Sequence, residues 1–448
     1  MFNFLRRILA PTSIFRKIFW NLKSFVAAIL FRFPARDLKI IGVTGTDGKT
    51  TTAEMIFQIL QNCGKKVAKI STAEFSIGDK TWENETKRTS VSPFLMQKFL
   101  RKCVLAKVDA VILETSSHAL FQNRFFGVKF AVGVLTNISN EHLDFHKTIE
   151  NLRAAKKLLF SKFLQKGGTA ILPADAEFTE NWADEISRAG KIAKTFSLQN
   201  PAADFFGKNF TDQKNGIEFE ITETKFTAPV FGDFNAENLL AAVGAISIFN
   251  FTPAKVAAAA AKFKSVAGRC ESIDCGQDFE IFVDFALTPQ AFEKVLSALK
   301  KRTAGNLIVV FGAAGDHDAT KRPILGKIAR EICDSIILTD DETYGESAEK
   351  IRTEIKSGIF ENEIDAREVS LDDKSFFEIP ERKVAIQTAL QNAHSGDAVA
   401  ILGMGNFNSR NLNGREVAWN DREVVLEIFS AGDEKARLKN LQSSVGKS

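Results

Sequence analysis

The sequence predicts an α/β protein of two units, each a mainly parallel sheet covered by helices, preceded by a short helical segment. Three observations predict this. Short apolar runs alternate with helix-length stretches from 38 to about 160 and again from 279 to 402, which is how parallel strands joined by helical crossovers read in sequence. The length, 448 residues, suffices for two or three domains that each bury a core. Val266-Ala-Gly-Arg269 reads as a hinge between the alternating regions. The expected organisation is a basic, aromatic helical segment at 1–37, a central domain at 38–267 and a Rossmann-like C-terminal domain at 268–448.

Hydrophobic residues make up 45% of the chain, charged residues 25%, and the net charge is +4. This is a soluble globular composition, and so small a charge gives no reason to expect a nucleic-acid partner. Five scattered cysteines make neither a disulfide framework nor a zinc motif, which suits a reducing, cytoplasmic setting. The first segment contains Phe2, Phe4, Arg6, Arg7, Phe15, Arg16, Lys17, Phe19, Trp20, Lys23 and Phe25. Its uninterrupted apolar run, 25–31, is far short of the roughly 20 residues that span a bilayer. It reads either as a helix packed on the main body or as an amphipathic helix on an anionic surface, a peripheral contact at the inner membrane face.

The central domain is organised around Ile40-Ile-Gly-Val-Thr-Gly-Thr-Asp-Gly-Lys-Thr-Thr-Thr52. Residues 38–43 read as a buried strand, Gly45 and Gly48 as a turn, and 53–63 as a helix. A strand, glycine turn and helix N-terminus cradle an anion, because the turn's N–H groups and the helix dipole converge on it. Gly45, Thr46, Gly48 and Thr51 would line that cradle, Lys49 would reach the outer phosphates of ATP and Thr50 would hold Mg²⁺. Val43 stands where the strict P-loop pattern has glycine, so the motif is a shortened variant.

Further strands are expected at 67–70, 110–113 and 130–135, with a helix at 94–107. Glu114 closes the second of these strands at the sheet edge where such folds bind ligands, a candidate metal or water ligand. Glu141, His142, Asp144 and His146 follow the third, enough for a hard-cation site or a base, although a solvated loop looks similar. A helix at 150–163 carries Lys156 and Lys157, locally a wet face. Residues 168–230 read as short strands and turns, and alanine-rich helices follow from 232 and at 253–263. The last third alternates strands at 279–285, 306–311, 335–338 and 398–402 with helices at 289–301, 322–333, 346–356 and 382–393. Gly312 and Gly315 resemble a dinucleotide turn, but no acidic residue stands where a ribose ligand is needed.

Eight motifs stand in collinear order: Thr44-Gly-Thr-Asp-Gly-Lys-Thr50, Glu114-Thr-Ser-Ser-His-Ala-Leu120, Thr136-Asn with Glu141-His-Leu-Asp-Phe-His146, Ala154-Ala-Lys156 with Leu159-Phe160, Phe234-Asn-Ala-Glu-Asn238, Gly268-Arg269, Val283-Asp-Phe-Ala-Leu-Thr-Pro289, and Gly315-Asp-His-Asp with Lys321-Arg-Pro323. Together they resemble the Mur ligases, ATP-dependent amide-forming enzymes of peptidoglycan-precursor synthesis. The nearest likeness is to members that add the third residue of the peptide. The resemblance implies that Lys49 and Thr50 bind ATP and Mg²⁺, that Glu114 and His142 hold a second Mg²⁺, and that Lys156 is carbamylated beside that metal. Lys49, Lys156 and His142 are the implied catalytic residues. Asn238, Arg269 and Asp284 are implied nucleotide contacts; Ser116 and Arg124, with Thr89 and Ser90, are implied acceptor contacts. The implied substrates are a UDP-linked or otherwise carrier-linked muramoyl dipeptide and a free amino acid.

The departures are specific. Only 37 residues stand ahead of the first strand, where three-domain members carry a uridine-binding domain. Asp341-Glu-Thr-Tyr344 replaces the Asp-Asn-Pro-Arg of diaminopimelate-adding members, His317 replaces an arginine, and Gly405-Asn-Phe407 a Gly-His-Glu. Asp340, Asp341 and Glu342 would favour a cationic amino acid by charge, or form a solvated loop. Asp47 replaces a common asparagine, Leu287 a usual histidine and Thr89-Ser-Val91 a Thr-Thr-Pro. Two other readings stand beside the leading one: a folylpolyglutamate synthetase-like ligase, and a nucleotide-binding regulatory protein without turnover.

Overall fold

A computed structural model describes residues 14–86, 88–360, 368–371 and 374–431; Phe2, Phe4, Arg6 and Arg7 lie outside them. The chain divides into two compact units between Lys264 and Ser265.

In the first unit, α1 (Ile14–Leu30) precedes β1 (Ile40–Thr44), α2 (Lys49–Asn62), β2 (Val67–Ile70), the hairpin β3 (Glu74–Ile77) and β4 (Lys80–Glu83), α3 (Pro93–Leu105), β5 (Ala110–Glu114), α4 (Ser117–Phe121) and β6 (Phe130–Leu135). Next come α5 (Leu143–His146), α6 (Ile149–Leu158), β7 (Leu164–Pro173), α7 (Thr179–Arg188), β8 (Ile192–Ser197) and β9 (Phe205–Phe206). A small antiparallel sheet of β10 (Lys208–Gln213), β11 (Gly216–Ile221) and β12 (Thr224–Ala228), then α8 (Asp233–Ile246) and α9 (Pro253–Ala260), completes the unit. The main sheet runs β4-β3-β2-β5-β1-β6-β7-β8-β9. It is parallel from β2 through β9 and antiparallel at the β2–β3–β4 edge.

Every residue of β1 and of β5 is buried, which is why these strands read as unbroken apolar runs rather than as alternation. Helix α2 starts at Lys49, four residues before the expected 53, because Gly48 at φ 77° turns the chain directly into it. The helix expected over 150–163 is instead α6 followed by a π-helical turn at Leu159–Phe163. Helix α7 lies where strands and turns were expected. Trp182 and Ile186, one turn apart, form its buried apolar face among otherwise mostly polar residues.

The second unit contains β13 (Glu271–Ser272), β14 (Glu280–Asp284), α10 (Pro289–Arg302), β15 (Leu307–Phe311), α11 (Lys321–Ile332), β16 (Ser335–Leu338) and α12 (Ala348–Ile359). Then follow β17 (Glu368–Leu371), β18 (Lys374–Glu378), α13 (Arg382–Asn392), β19 (Ala398–Leu402) and the hairpin β20 (Ser409–Leu412) and β21 (Arg415–Ala418). Its sheet order is β13-β14-β19-β15-β16-β18-β17, parallel from β14 through β18 and antiparallel at each edge. Thr288 starts α10 by accepting from the Ala291 N–H, with Pro289 at the first helical position, a cap worth about 1 kcal/mol.

Candidate active site

Three adjacent strands, β5, β1 and β6, run parallel and so end at one sheet edge, the edge where such sheets take ligands. The segment after β6 fixes the loop after β1. Thr136 Oγ1 (2.6 Å) and Asn137 Nδ2 (3.2 Å) donate to the Asp47 carbonyl, Asn137 Oδ1 accepts from the Asp47 N–H (2.9 Å), and the Ser139 N–H donates to Thr46 Oγ1 (3.0 Å). Two glycines permit this closeness. A Cβ on Gly45 would lie 1.8 Å from Thr136 Oγ1, and one on Gly48 2.3 Å from Asn238 Oδ1. Thr50 and Thr51 sit in the first turn of α2, where unpaired N–H groups collect. Lys49 Nζ folds over the loop, donating to the carbonyls of Gly45 (3.2 Å) and Thr46 (2.5 Å). Asn238, on α8, accepts from the Thr52 hydroxyl (3.1 Å).

The adjacent lysines of α6 part company, since neighbours on a helix point about 100° apart. Lys157 pairs with Glu185 at 2.6 Å, whereas Lys156 is 1% exposed and donates to Thr46 Oγ1 at 3.2 Å. The wet face expected for the pair is therefore corrected for Lys156. Burial, reinforced by Lys49, pulls the Lys156 ammonium down to about 7 against the opposing pull of Glu141 and Asp47.

Glu114 is 1% exposed, its carboxylate accepting from both the N–H (3.0 Å) and the hydroxyl (2.9 Å) of Thr72. His142 holds a left-handed backbone, φ 54°, with Nε2 3.4 Å from Glu141 and its ring edge-on to His118 at 4.7 Å. Among the described residues no three His, Cys, Asp or Glu side chains gather into a metal site. Beside Glu114, Thr89 Oγ1 lies 3.0 Å from Thr72 Oγ1, and Ser90 Oγ donates to the Glu114 carbonyl (3.2 Å) while accepting from the Ser116 N–H (2.9 Å). Arg124 Nη1 donates to the Ser90 carbonyl (3.1 Å). The four residues expected at the acceptor thus form one connected group around Glu114. Burial, together with Arg88 and Arg16, lowers the Arg124 guanidinium to about 10, still charged at neutral pH.

In the second unit, Asp284 ends β14. Its carboxylate accepts from the N–H groups of Cys270 (2.6 Å) and Ala286 (2.7 Å), and burial raises it against the opposing charge of Arg269. Arg269 stacks over Phe285 at 4.3 Å. The acidic loop after β16 is not solvated: Asp341 and Glu342 are buried and Asp340 pairs with Arg352. Glu342 accepts from the Tyr344 hydroxyl (2.8 Å) and the Asn411 N–H (3.1 Å). Asp341 Oδ1 accepts from the Glu342 N–H (2.8 Å), while its buried Oδ2 has no hydrogen-bond partner among the described residues.

Comparison with known proteins identifies the family of both units. The Mur ligase middle domain matches residues 43–246, and the Mur ligase glutamate ligase domain matches 268–405. The chain belongs to the Mur ligase family. A UDP-N-acetylmuramoyl-L-alanyl-D-glutamate–2,6-diaminopimelate ligase of Clostridium acetobutylicum is 34% identical over 404 residues, 88% of this chain and 79% of that protein. A UDP-N-acetylmuramyl-tripeptide synthetase of Borreliella afzelii is 35% identical over 417 residues, 91% and 80% of the two chains. The solved structure of a diaminopimelate ligase of this kind superposes with a TM-score of 0.62 at 28% identity, over 88% of this chain and 79% of that one. Mycobacterium tuberculosis folylpolyglutamate synthase superposes with a TM-score of 0.67, but at 16% identity, over 85% and 92%, and shows the fold alone. This Mur ligase is an ATP-dependent, amide-forming enzyme of peptidoglycan-precursor synthesis. No described helix is long and apolar enough to cross a membrane.

Some residues that shape the candidate site carry no sequence signal of that role. Nothing in the spacing of Thr72 and Glu114 shows that one hydroxyl and one N–H hold the carboxylate. Thr136 and Asn137 are part of a motif, but their pinning of the glycine loop appears only when β6 is paired beside β1.

Proposed function

We propose that this Mur ligase joins the terminal carboxylate of a UDP-linked or otherwise carrier-linked muramoyl dipeptide to the amine of a free amino acid. A carboxylate is a poor electrophile, so it must first be activated. Its oxygen attacks the γ-phosphorus of ATP, the bond to the β–γ bridging oxygen breaks, and ADP leaves. The amine nitrogen then attacks the acyl phosphate carbon and loses a proton, and expulsion of phosphate leaves the amide. Positioning and charge neutralisation carry most of such a barrier.

The single observation that carries this reading is the pinned loop of 44–50, which receives Lys49 on its carbonyls and the buried amine of Lys156 on Thr46. Lys49 would move from those carbonyls to the γ-phosphate, and Gly45, Thr46, Gly48, Thr50 and Thr51 would line the phosphates. Asn238, and Arg269 and Asp284 of the second unit, are further nucleotide contacts in this reading. Thr89, Ser90, Ser116 and Arg124 would hold the acceptor. Domain 38–267 then handles ATP and acceptor, and 268–448 the incoming amino acid.

Mg²⁺ suits the donors present. Thr50 and Glu114 offer hard oxygens, His142 a nitrogen, and Mg²⁺ ordinarily combines one or two carboxylates with substrate phosphates rather than filling an all-protein cage. Two such ions, when bound, would neutralise phosphoryl charge. Lys156, with a pKa of about 7, has a free-amine fraction that can add CO₂, forming an N–C bond and losing a proton to become a carbamate. Peripheral membrane contact through residues 1–37, at the inner face of the cytoplasmic membrane, belongs to the same reading and is supported by the cations and aromatic residues there.

The test is isotope exchange. ATP labelled in the β–γ bridging oxygen is incubated with UDP-N-acetylmuramoyl-L-alanyl-D-glutamate and no amino acid. Label should scramble into the nonbridging β positions only when the acceptor is present, and not in Lys49→Ala. Scrambling without the acceptor would contradict the proposed acyl phosphate.

A further inference from the structure

Helix α1 is amphipathic the wrong way round for a helix that only packs on its own protein. On its inward face Ser24, Ala27 and Ala28 are buried, and the helix lies on α3. On that side Trp20 lies 4.2 Å from the Arg124 guanidinium and Lys17 Nζ 3.9 Å from the Phe121 ring; Phe25, at the border of the two faces, lies 5.5 Å from Phe126. Its outward face is large and apolar. Ile18, Phe19, Leu22, Phe25, Val26, Ile29 and Leu30 are 44–64% exposed, and they are seven of the thirteen exposed large hydrophobic residues among the described ones. Positions 18, 22, 25 and 29 follow the helical repeat, with 19, 26 and 30 beside them, so they make one continuous stripe.

The charge around that stripe selects what covers it. Seven Lys and Arg residues, and no Asp or Glu, precede Asp37; Arg16 and Arg32 are exposed on the structure. Two copies meeting stripe to stripe would bring like charges together, whereas an anionic lipid surface neutralises them. Helix α1 is 17 residues long, about 25 Å, and with no described helix fit to span it would lie in the headgroup plane. We propose that the outward face of α1 docks this enzyme on an anionic phospholipid bilayer. This rests on the peripheral contact inferred for residues 1–37 and names its surface, residues and lipid class. Because the opposite face of α1 touches Arg124 and Phe121, docking would fix the acceptor end of the first unit with respect to the membrane.

The test is co-sedimentation of the full chain with vesicles of phosphatidylcholine alone or mixed with phosphatidylglycerol, at low and high ionic strength. Binding should require phosphatidylglycerol and weaken with salt, and Leu22→Glu with Ile29→Glu should reduce it by about tenfold or more, given the apolar area lost and the charge added. Both positions face solvent, and unchanged nucleotide-dependent thermal stability would verify the fold. Binding that survives both substitutions would leave the peripheral contact standing and overturn α1 as its surface. No binding to either vesicle would overturn both, and concentration-dependent dimerisation abolished by the same substitutions would assign the stripe to a second copy instead.

Discussion

The two sheet edges of this enzyme are built from different materials. At the edge of β5, β1 and β6 the site is mostly backbone: a glycine loop held by Thr136, Asn137 and Ser139 through contacts of 2.6–3.2 Å. At the edge of β16 and β19 it is mostly side chain. Arg382 and Asp421 form a fully buried ion pair at 2.7 Å, and Asp341 Oδ2, Arg382 Nη1, Arg410 Nε and Asn406 Oδ1 are buried with no hydrogen-bond partner among the described residues. A backbone cradle tolerates little change, because a single Cβ fills it. A side-chain network can be rewritten residue by residue, and it includes Asp341-Glu-Thr-Tyr344, where the resemblance leads one to expect Asp-Asn-Pro-Arg in diaminopimelate-adding members. On the reading proposed above, activation of the carboxylate belongs to the first edge and selection of the amine to the second.

The largest expected effect falls on the cradle. Lys49→Ala should lower ATP-dependent phosphate release by about a thousandfold, as loss of a phosphate-stabilising group typically does, with circular dichroism unchanged. Retention of most activity would break the comparison at its first term.

Lys156→Ala should cost about a hundredfold and leave the fold intact, since an alanine replaces a buried amine; a short carboxylate added to the buffer should restore part of the rate if a carbamate is what is missing. The same group sets a pH dependence. Below about 7 the Lys156 amine is protonated and cannot add CO₂, so bicarbonate-dependent turnover should rise as pH passes upward through that value. Stability moves the same way: the unfolded chain keeps this proton to an ordinary lysine pKa of about 10.4, so between the two values it binds more protons than the folded chain and folding strengthens with pH. Turnover that falls over that interval, with bicarbonate present, would contradict the assignment.

Legibility in the sequence follows the same division. Buried parallel strands read directly, as β1, β5, β15 and β19 did, because two covered faces leave an apolar run. The turn between β1 and α2 read directly because its glycines are local. Lys156 did not: its burial depends on which face of α6 meets the loop, and its neighbour Lys157 looks identical in sequence. Nor did the acidic loop after β16, which reads in sequence either as a selector of a cationic amino acid or as solvated, whereas Arg352, Tyr344 and the Asn411 backbone close on its charges.

Two substitutions should have smaller effects. Tyr344→Phe frees a carboxylate oxygen of Glu342 from its hydroxyl and should alter the KM for the amino acid by about fivefold, near one charge-adjacent hydrogen bond, while isotope scrambling stays the same. An equal loss in scrambling would show that the two edges are not separable functions. Asp47→Asn should change the KM for ATP least, by about threefold or less and toward tighter binding, because the backbone N–H and carbonyl that hold the loop are kept while one negative charge is removed. A loss of ATP binding would give the side chain a structural role.

The most direct measurement is phosphate release from ATP and Mg²⁺ with UDP-N-acetylmuramoyl-L-alanyl-D-glutamate across a panel of amino acids that includes lysine, ornithine and diaminopimelate. Kept activation with altered selection predicts acceptor-dependent release with an amino acid other than diaminopimelate. Preference for diaminopimelate, despite the absence of the arginine at Tyr344, would contradict it.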